Sequence, residues 1–180
     1  MIEIKRKMFS NYSEDVEEID ISDQKLTILP DLSRFKKLKT FNCNRNQLSS
    51  LPLQPSTLQK LICSSNQLTH LPPTLQILVC SKNQLYCSHN QLTRLPPLPS
   101  TLKQLICSYN QLSHLPPLPS KLQYLHCCDN QLSHLPPLPC TLEILICSYN
   151  QLSHLPPLPF ILEELICRNN SFNIKSKEGK

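Results

Sequence analysis

The chain has 180 residues, 39% of them apolar, with 17 prolines, a single glycine, no tryptophan and a formal net charge of +5. That length suits one domain with a continuous core, and no apolar run approaches the roughly 20 residues that span a bilayer, which excludes an integral membrane protein. One glycine leaves no glycine-rich phosphate loop, and the Lys/Arg clusters at Lys5 to Lys7, Lys36 to Lys39 and Lys175 to Lys180 read as solvated surface rather than one basic face.

Residues 1–15 are expected to be a polar segment acting at most as a weak cap. The opening "MIEIKRKMFSNYSEDVEEID" is charged throughout and lacks the apolar stretch of a secretory signal, so the chain is expected in the cytoplasm, with its ten cysteines as thiols. From residue 16 to 172 the chain repeats a 20-residue unit, L-x-x-L-x-C-x-x-N-x-L-x-x-L-P-P-L-P-x-x, and a period of that size predicts a solenoid. Asparagines keep the count at 46, 66, 90, 110, 130, 150 and 170, with an extra one at Asn83. An imperfect first unit runs through Val16, Ile19, Ile21, Leu26 and Leu29, with Gln24 in the asparagine place. About eight coils result.

Within a unit such as "LKQLICSYNQL", Leu105 and Cys107 alternate with Gln104, Ile106 and Ser108, the period-two signature of a short strand with one side in the core. Asn110 then follows at a turn, where its amide can satisfy backbone groups of neighbouring coils. "LPPLP" cannot be helical, because proline lacks an N–H and pushes the residue before it out of the α region. A polyproline II return on the outer side is expected, with Leu115 and Leu118 pointing back inward.

The short unit L-x-x-L-x-L-x-x-N-x-L, matched in seven units with Cys for its third apolar residue, resembles the leucine-rich repeat family, and the "LPPLP" half resembles its short LPX subclass, as in bacterial effectors and giant-virus repeat proteins. The resemblance implies a leucine-rich repeat solenoid: a curved parallel β-sheet on the concave face, an irregular convex face and almost no helix. It also implies host cytoplasm as a location if the chain is viral or an effector. Some LPX effectors carry a ubiquitin-ligase domain after the repeats, so the chain as the substrate-recognition part of such an effector is one alternative.

Two departures interrupt the period. Between Asn66 and Asn90 both Cys80 and Cys87 claim one strand position, and seven residues cannot complete a circuit. The expectation is a strand at Leu78, Val79 and Cys80, with Tyr86 to His89 bulging outward; the reverse choice stays open. After Phe172 comes a basic tail, residues 173–180, and the last coil is expected to leave a sheet edge open, through which a weak dimer is an alternative to a monomer.

Cys43, Cys63, Cys80, Cys107, Cys127, Cys147 and Cys167 occupy the inward position, where thiols behave as small hydrophobes. Cys128 and Cys140 fall off that ladder, and Cys128 is expected outward as a titratable thiol. His70, His114, His134 and His154 recur at one position, with Arg94 in the same place, as an exposed ladder; neither C-x-x-C nor H-x-x-x-H spacing occurs. No metal site, cofactor or catalytic residue is expected, since Cys107 points inward and His114 lies beyond the turn, out of mutual reach.

Repeat proteins bind through the inner-face residues that the core does not constrain. The central outward column reads Asn42, Ile62, Val79, Ile106, His126, Ile146 and Ile166. Lys60, Gln104, Tyr124, Ile144 and Glu164 flank it on one side, and Tyr109, Asp129 and Tyr149 lie toward the turn. An aliphatic stripe with tyrosines beside it points to a protein or peptide partner, and the candidate contact residues are Ile62, Val79, Ile106, Tyr109, Tyr124, His126, Ile146, Tyr149 and Ile166. The bland alternative is that β-branched residues simply suit strands. A structural role or weak binding of nucleic acid or anions is the remaining reading, which the net charge permits and the aliphatic column opposes.

Overall fold

The computed structural model describes residue 9, residues 11–72 and residues 83–172. Among the described residues eight short strands appear in chain order: β1 (Glu18–Asp20), β2 (Thr40–Asn42), β3 (Lys60–Ile62), β4 (Asn83–Tyr86), β5 (Leu102–Ile106), β6 (Tyr124–His126), β7 (Ile144–Ile146) and β8 (Glu164–Ile166). All pair in parallel with their sequence neighbours in a single sheet. The repeat sets that topology directly. Leu105 lies opposite Leu125, and Leu125 opposite Leu145, so each 20-residue circuit returns the chain to one strand position, one coil further on.

One residue of each inner strand points into the core, as in the buried Leu125 between half-buried Tyr124 and His126, with Ile19, Phe41, Leu61, Leu85, Leu105 and Leu145 buried at the same register position. Leu102, Leu105, Cys107, Leu112 and Leu115 of one coil join their counterparts of the next in a continuous core. Each fully buried leucine contributes roughly 1.5–3 kcal/mol of transfer free energy, realised only when a neighbouring coil covers it. The "LPPLP" segments adopt neither helix nor strand, and Leu118 and Leu138 pack on the core from that side.

The turn after each strand depends on two residues. The first is left-handed and not glycine: Arg45, Ser65, His89, Tyr109, Asp129, Tyr149 and Asn169 have φ from 51° to 54°. Such a conformation costs on the order of 1 kcal/mol for an L-residue with a Cβ, and here it aims the backbone N–H at the next coil, as in Tyr109 N–H to Cys128 O at 3.0 Å. The second is the asparagine. The Asn110 amide donates to Cys87 O (3.1 Å), Cys107 O (3.0 Å) and Ser108 O (3.1 Å), while its Oδ1 accepts the Leu92 N–H (3.0 Å). Asn66, Asn90, Asn130 and Asn150 repeat the set, and Asn46 serves the imperfect first coil, accepting from the N–H groups of Gln24 and Leu26. Groups that would be buried without partners at every turn are thereby paired.

Three expectations are corrected or extended. Tyr86 ends β4 and Leu85 and Cys87 are buried in the core, so the strand between β3 and β5 uses the later cysteine and Tyr86 does not bulge outward; Leu78, Val79 and Cys80 lie outside the described residues. The reason is steric. Counting Cys87 gives one lengthened circuit and then a regular one, whereas counting Cys80 would shorten a circuit below its circumference. Extra residues can leave on the convex side at little entropic cost, but missing residues cannot be supplied.

Cys128 is buried, not outward, and burial pushes its thiol pKa up. It fills the position of Ser88, Ser108 and Ser148, all buried, where the chain has already begun to turn against the next coil. Among the described residues the exposed thiol is Cys140. At the start of the stack, Phe9 is buried, with its ring 6.3 Å from both Tyr12 and Phe35, and its carbonyl accepts from the Arg34 guanidinium. This aromatic lid is more than the polar start that residues 1–15 suggest by composition.

Candidate functional site

The outward residue at the end of each strand forms one column across the sheet. In register it runs Asp20, Asn42, Ile62, Tyr86, Ile106, His126, Ile146 and Ile166. The first two are polar and bonded together, the Asn42 amide donating to Asp20 Oδ2 at 2.9 Å. From Ile62 onward the column is apolar or aromatic, interrupted at His126. Every one of these six side chains is half-buried, shielded by its neighbours along the column yet open to the concave side.

Of the sequence-derived candidates, Ile62, Ile106, His126, Ile146 and Ile166 lie in this column, and Tyr124 stands beside it, its ring edge-on to His126 at 6.5 Å. Tyr109 and Tyr149 sit at the left-handed turn, half-exposed at 50% and 57%. They flank the stripe rather than line it. Val79 lies outside the described residues, and Tyr86 holds the place between Ile62 and Ile106. The Tyr86 hydroxyl donates to Gln104 Oε1 (3.0 Å), and the Lys60 ammonium lies 5.5 Å from its ring centroid. His89, at the turn of the same coil, stacks on Tyr109 with centroids 4.2 Å apart and planes 9° from parallel. Sequence reasoning missed both residues. The available signal was "LYCSHNQL" aligned on "LICSYNQL", which puts Tyr86 over Ile106 and His89 over Tyr109.

Electrostatics on this face are mild. Burial lowers the His126 pKa, opposed by the Asp129 carboxylate, so the imidazole favours its neutral form among the isoleucines. Burial raises the pKa of Tyr86 and of Tyr124, with the Glu164 carboxylate adding to the shift at Tyr124. Beneath the sheet the described ladder thiols are free, and those of the inner coils are buried. Burial pushes Cys43 and Cys147 up to about 12 and holds Cys63, Cys87, Cys107 and Cys127 well above the ordinary thiol range. The histidines at 70, 114, 134 and 154 are exposed, each ring Nδ1 paired with the hydroxyl of the preceding Thr or Ser. Among the described residues no three His, Cys, Asp or Glu side chains are grouped to hold a metal ion, and no helix is long and apolar enough to cross a membrane.

Sheet, asparagine ladder and thiol stack define a solenoid that presents variable side chains on a fixed parallel framework. The Leucine Rich Repeat model matches residues 121–142. Among solved structures, YopM from Yersinia enterocolitica WA-314 is 31% identical with a TM-score of 0.69, over 90% of this chain and 39% of that one. A Shigella effector LRR domain is 32% identical with a TM-score of 0.71, over 86% of this chain and 67% of that one. The functional domain of InlJ from Listeria monocytogenes, which includes a cysteine ladder, is 26% identical with a TM-score of 0.64, over 77% of this chain and 31% of that one. A search of curated proteins gave no significant match. This chain belongs to the leucine-rich repeat family, of the kind found in bacterial effectors. It spans less than half the length of the YopM chains it matches.

Proposed function

We propose that the chain is a non-catalytic interaction module that holds a partner protein or peptide on its concave face, along Ile62, Tyr86, Ile106, His126, Ile146 and Ile166, with Tyr109, Tyr124 and Tyr149 at the margin. One observation carries the reading. Four isoleucines and a tyrosine stand half-open on a face that no coil among the described residues stacks against, where the stacking of those coils does not call for apolar side chains. A partner that covers them gains the transfer free energy the solenoid itself leaves unused. The free thiols of the described ladder fit a reducing compartment such as the cytoplasm.

Two carboxylates in the middle of such a contact would be desolvated without partners. Ile106→Asp with Ile146→Asp should therefore lower retention of the partner in affinity capture at least about tenfold. The exposed pair His114→Asp with His154→Asp, outside this column, should leave retention unchanged. If the concave variant keeps a native circular dichroism spectrum and captures the same proteins equally well, the concave-face reading is wrong.

A further inference from the structure

We propose that Tyr109, Asp129 and Tyr149 frame a slot at the rim of the concave face that takes an arginine guanidinium of the partner protein. The inference rests on the concave-face reading and names a side chain the partner must offer. These three residues hold the same left-handed turn position in successive coils, with φ of 53° to 54°. Tyr109 and Tyr149 are 50% and 57% exposed, and Asp129 between them is half-buried. The two outer coils carry the same fifteen residues, from Leu105 to Pro119 and from Leu145 to Pro159. The coil between them departs from both at Tyr124, His126, Cys128 and Asp129, three of which stand on the concave side or its rim.

Two contacts in the same turn column show what neighbouring rungs do. The His89 ring lies flat on Tyr109, with centroids 4.2 Å apart and planes 9° from parallel, so side chains one coil apart stack face to face. Nearer the start of the column the Arg45 guanidinium reaches the Asp23 carboxylate of the preceding coil, Nη1 to Oδ2 at 3.8 Å. This rim therefore accommodates both a ring stack and an arginine–carboxylate pair.

The Tyr109 to Tyr149 stretch combines the two. His89 covers one face of Tyr109, and the other face turns toward the Asp129 coil. Adjacent strands lie about 4.8 Å apart, which puts about 10 Å between the Tyr109 and Tyr149 rungs, and Asp129 places no ring in that interval. With Tyr149 set as its sequence twin Tyr109 is, a flat group midway lies about 5 Å from either ring, inside the roughly 6 Å reach of a cation–π contact. A guanidinium is flat on both faces, permanently charged, and able to bond the Asp129 carboxylate through two edge N–H groups. An ammonium has the charge without the plane, and a purine base the plane without the charge. Among the described residues no lysine or arginine pairs with Asp129, and burial holds its neighbour His126 toward the neutral imidazole, so the carboxylate is not neutralised from within.

The ring NMR signals of the five tyrosines in the full chain, followed as N-acetyl-arginine methylamide is added, test the slot. The Tyr109 and Tyr149 signals should shift together along one saturating curve. The lysine and citrulline counterparts of that compound, and guanosine monophosphate, should each bind at least about fivefold more weakly. Asp129→Asn should weaken the arginine compound about fivefold, and the turn accepts the change because Asn169 holds the same conformation with φ of 53°. Unmoved Tyr109 and Tyr149 signals overturn the proposal, as does equal binding of any of the three comparison compounds or an Asp129→Asn variant that binds as well as the parent chain. If that happens while Ile106→Asp with Ile146→Asp still loses the partner, the concave-face reading stands and only the slot falls. Arginine-selective shifts in a chain whose double variant keeps its partner would support the slot and sink the concave-face reading.

Discussion

Asn110→Ala should lower the free energy of unfolding by about 3 kcal/mol or more, one of the two largest effects expected of a single substitution in this chain. The change deletes four hydrogen bonds, one from the Leu92 N–H and three to the carbonyls of Cys87, Cys107 and Ser108, all between 3.0 and 3.1 Å. Asn110 itself is 9% exposed, so water has little access to the groups it leaves behind. Each buried group left unpaired costs about 1–3 kcal/mol, and the cost falls on two coils at once. Asn170 makes the same set of bonds, to Leu152, Cys147, Cys167 and Arg168, but in the last coil and half-buried. Asn170→Ala should cost only about 1 kcal/mol, because water can reach the groups it frees. Urea unfolding with an unchanged slope measures both. Equal costs would mean that the ladder's value does not come from burial.

Leu125→Ala should cost about 3 kcal/mol, within the range of about 2–5 kcal/mol for such truncations. Leu125 is fully buried, with Leu105 and Leu145 opposite it on the flanking strands, and neither strand can move inward without breaking register with the next coil. The cavity therefore persists. Leu165→Ala removes the same atoms where 36% of the residue is already exposed, and should cost under about 1 kcal/mol. Because each coil touches only its neighbours, hydrogen exchange in Leu125→Ala should accelerate most in β5 to β7 and least in β1. Uniform acceleration would indicate a single cooperative core instead of a stack.

The repeat made most of this architecture legible. Leucines at fixed spacing name the inward residues, prolines forbid helix on the return, and a 20-residue circuit leaves only parallel neighbours. What escaped has local causes. The period-two alternation that places Cys127 inward cannot be carried one residue further, because the left-handed turn at Asp129 begins there and tucks Cys128 beside the next coil. Small residues at Ser88, Ser108 and Ser148 were the available warning. Tyr86 and His89 were hidden by two competing alignments of one irregular stretch, a choice decided by which circuits can close. Phe9 and Tyr12 stand among charged residues, and only the aromatic character of the pair hinted that they cover the first coil. The concave stripe was legible as a column, since strand alternation fixes which side each residue takes, whereas the contacts along it, such as the His89 stack on Tyr109, depend on the turn conformation.

Alkylation of the native protein followed by mapping of each cysteine tests the stacked-coil account most directly. Cys140 should react rapidly, Cys167 more slowly, and Cys43, Cys63, Cys87, Cys107, Cys127, Cys128 and Cys147 only once the chain unfolds, because each lies in or against the core. Modification of Cys107, Cys127 and Cys147 in the folded chain at the rate of Cys140 would contradict it.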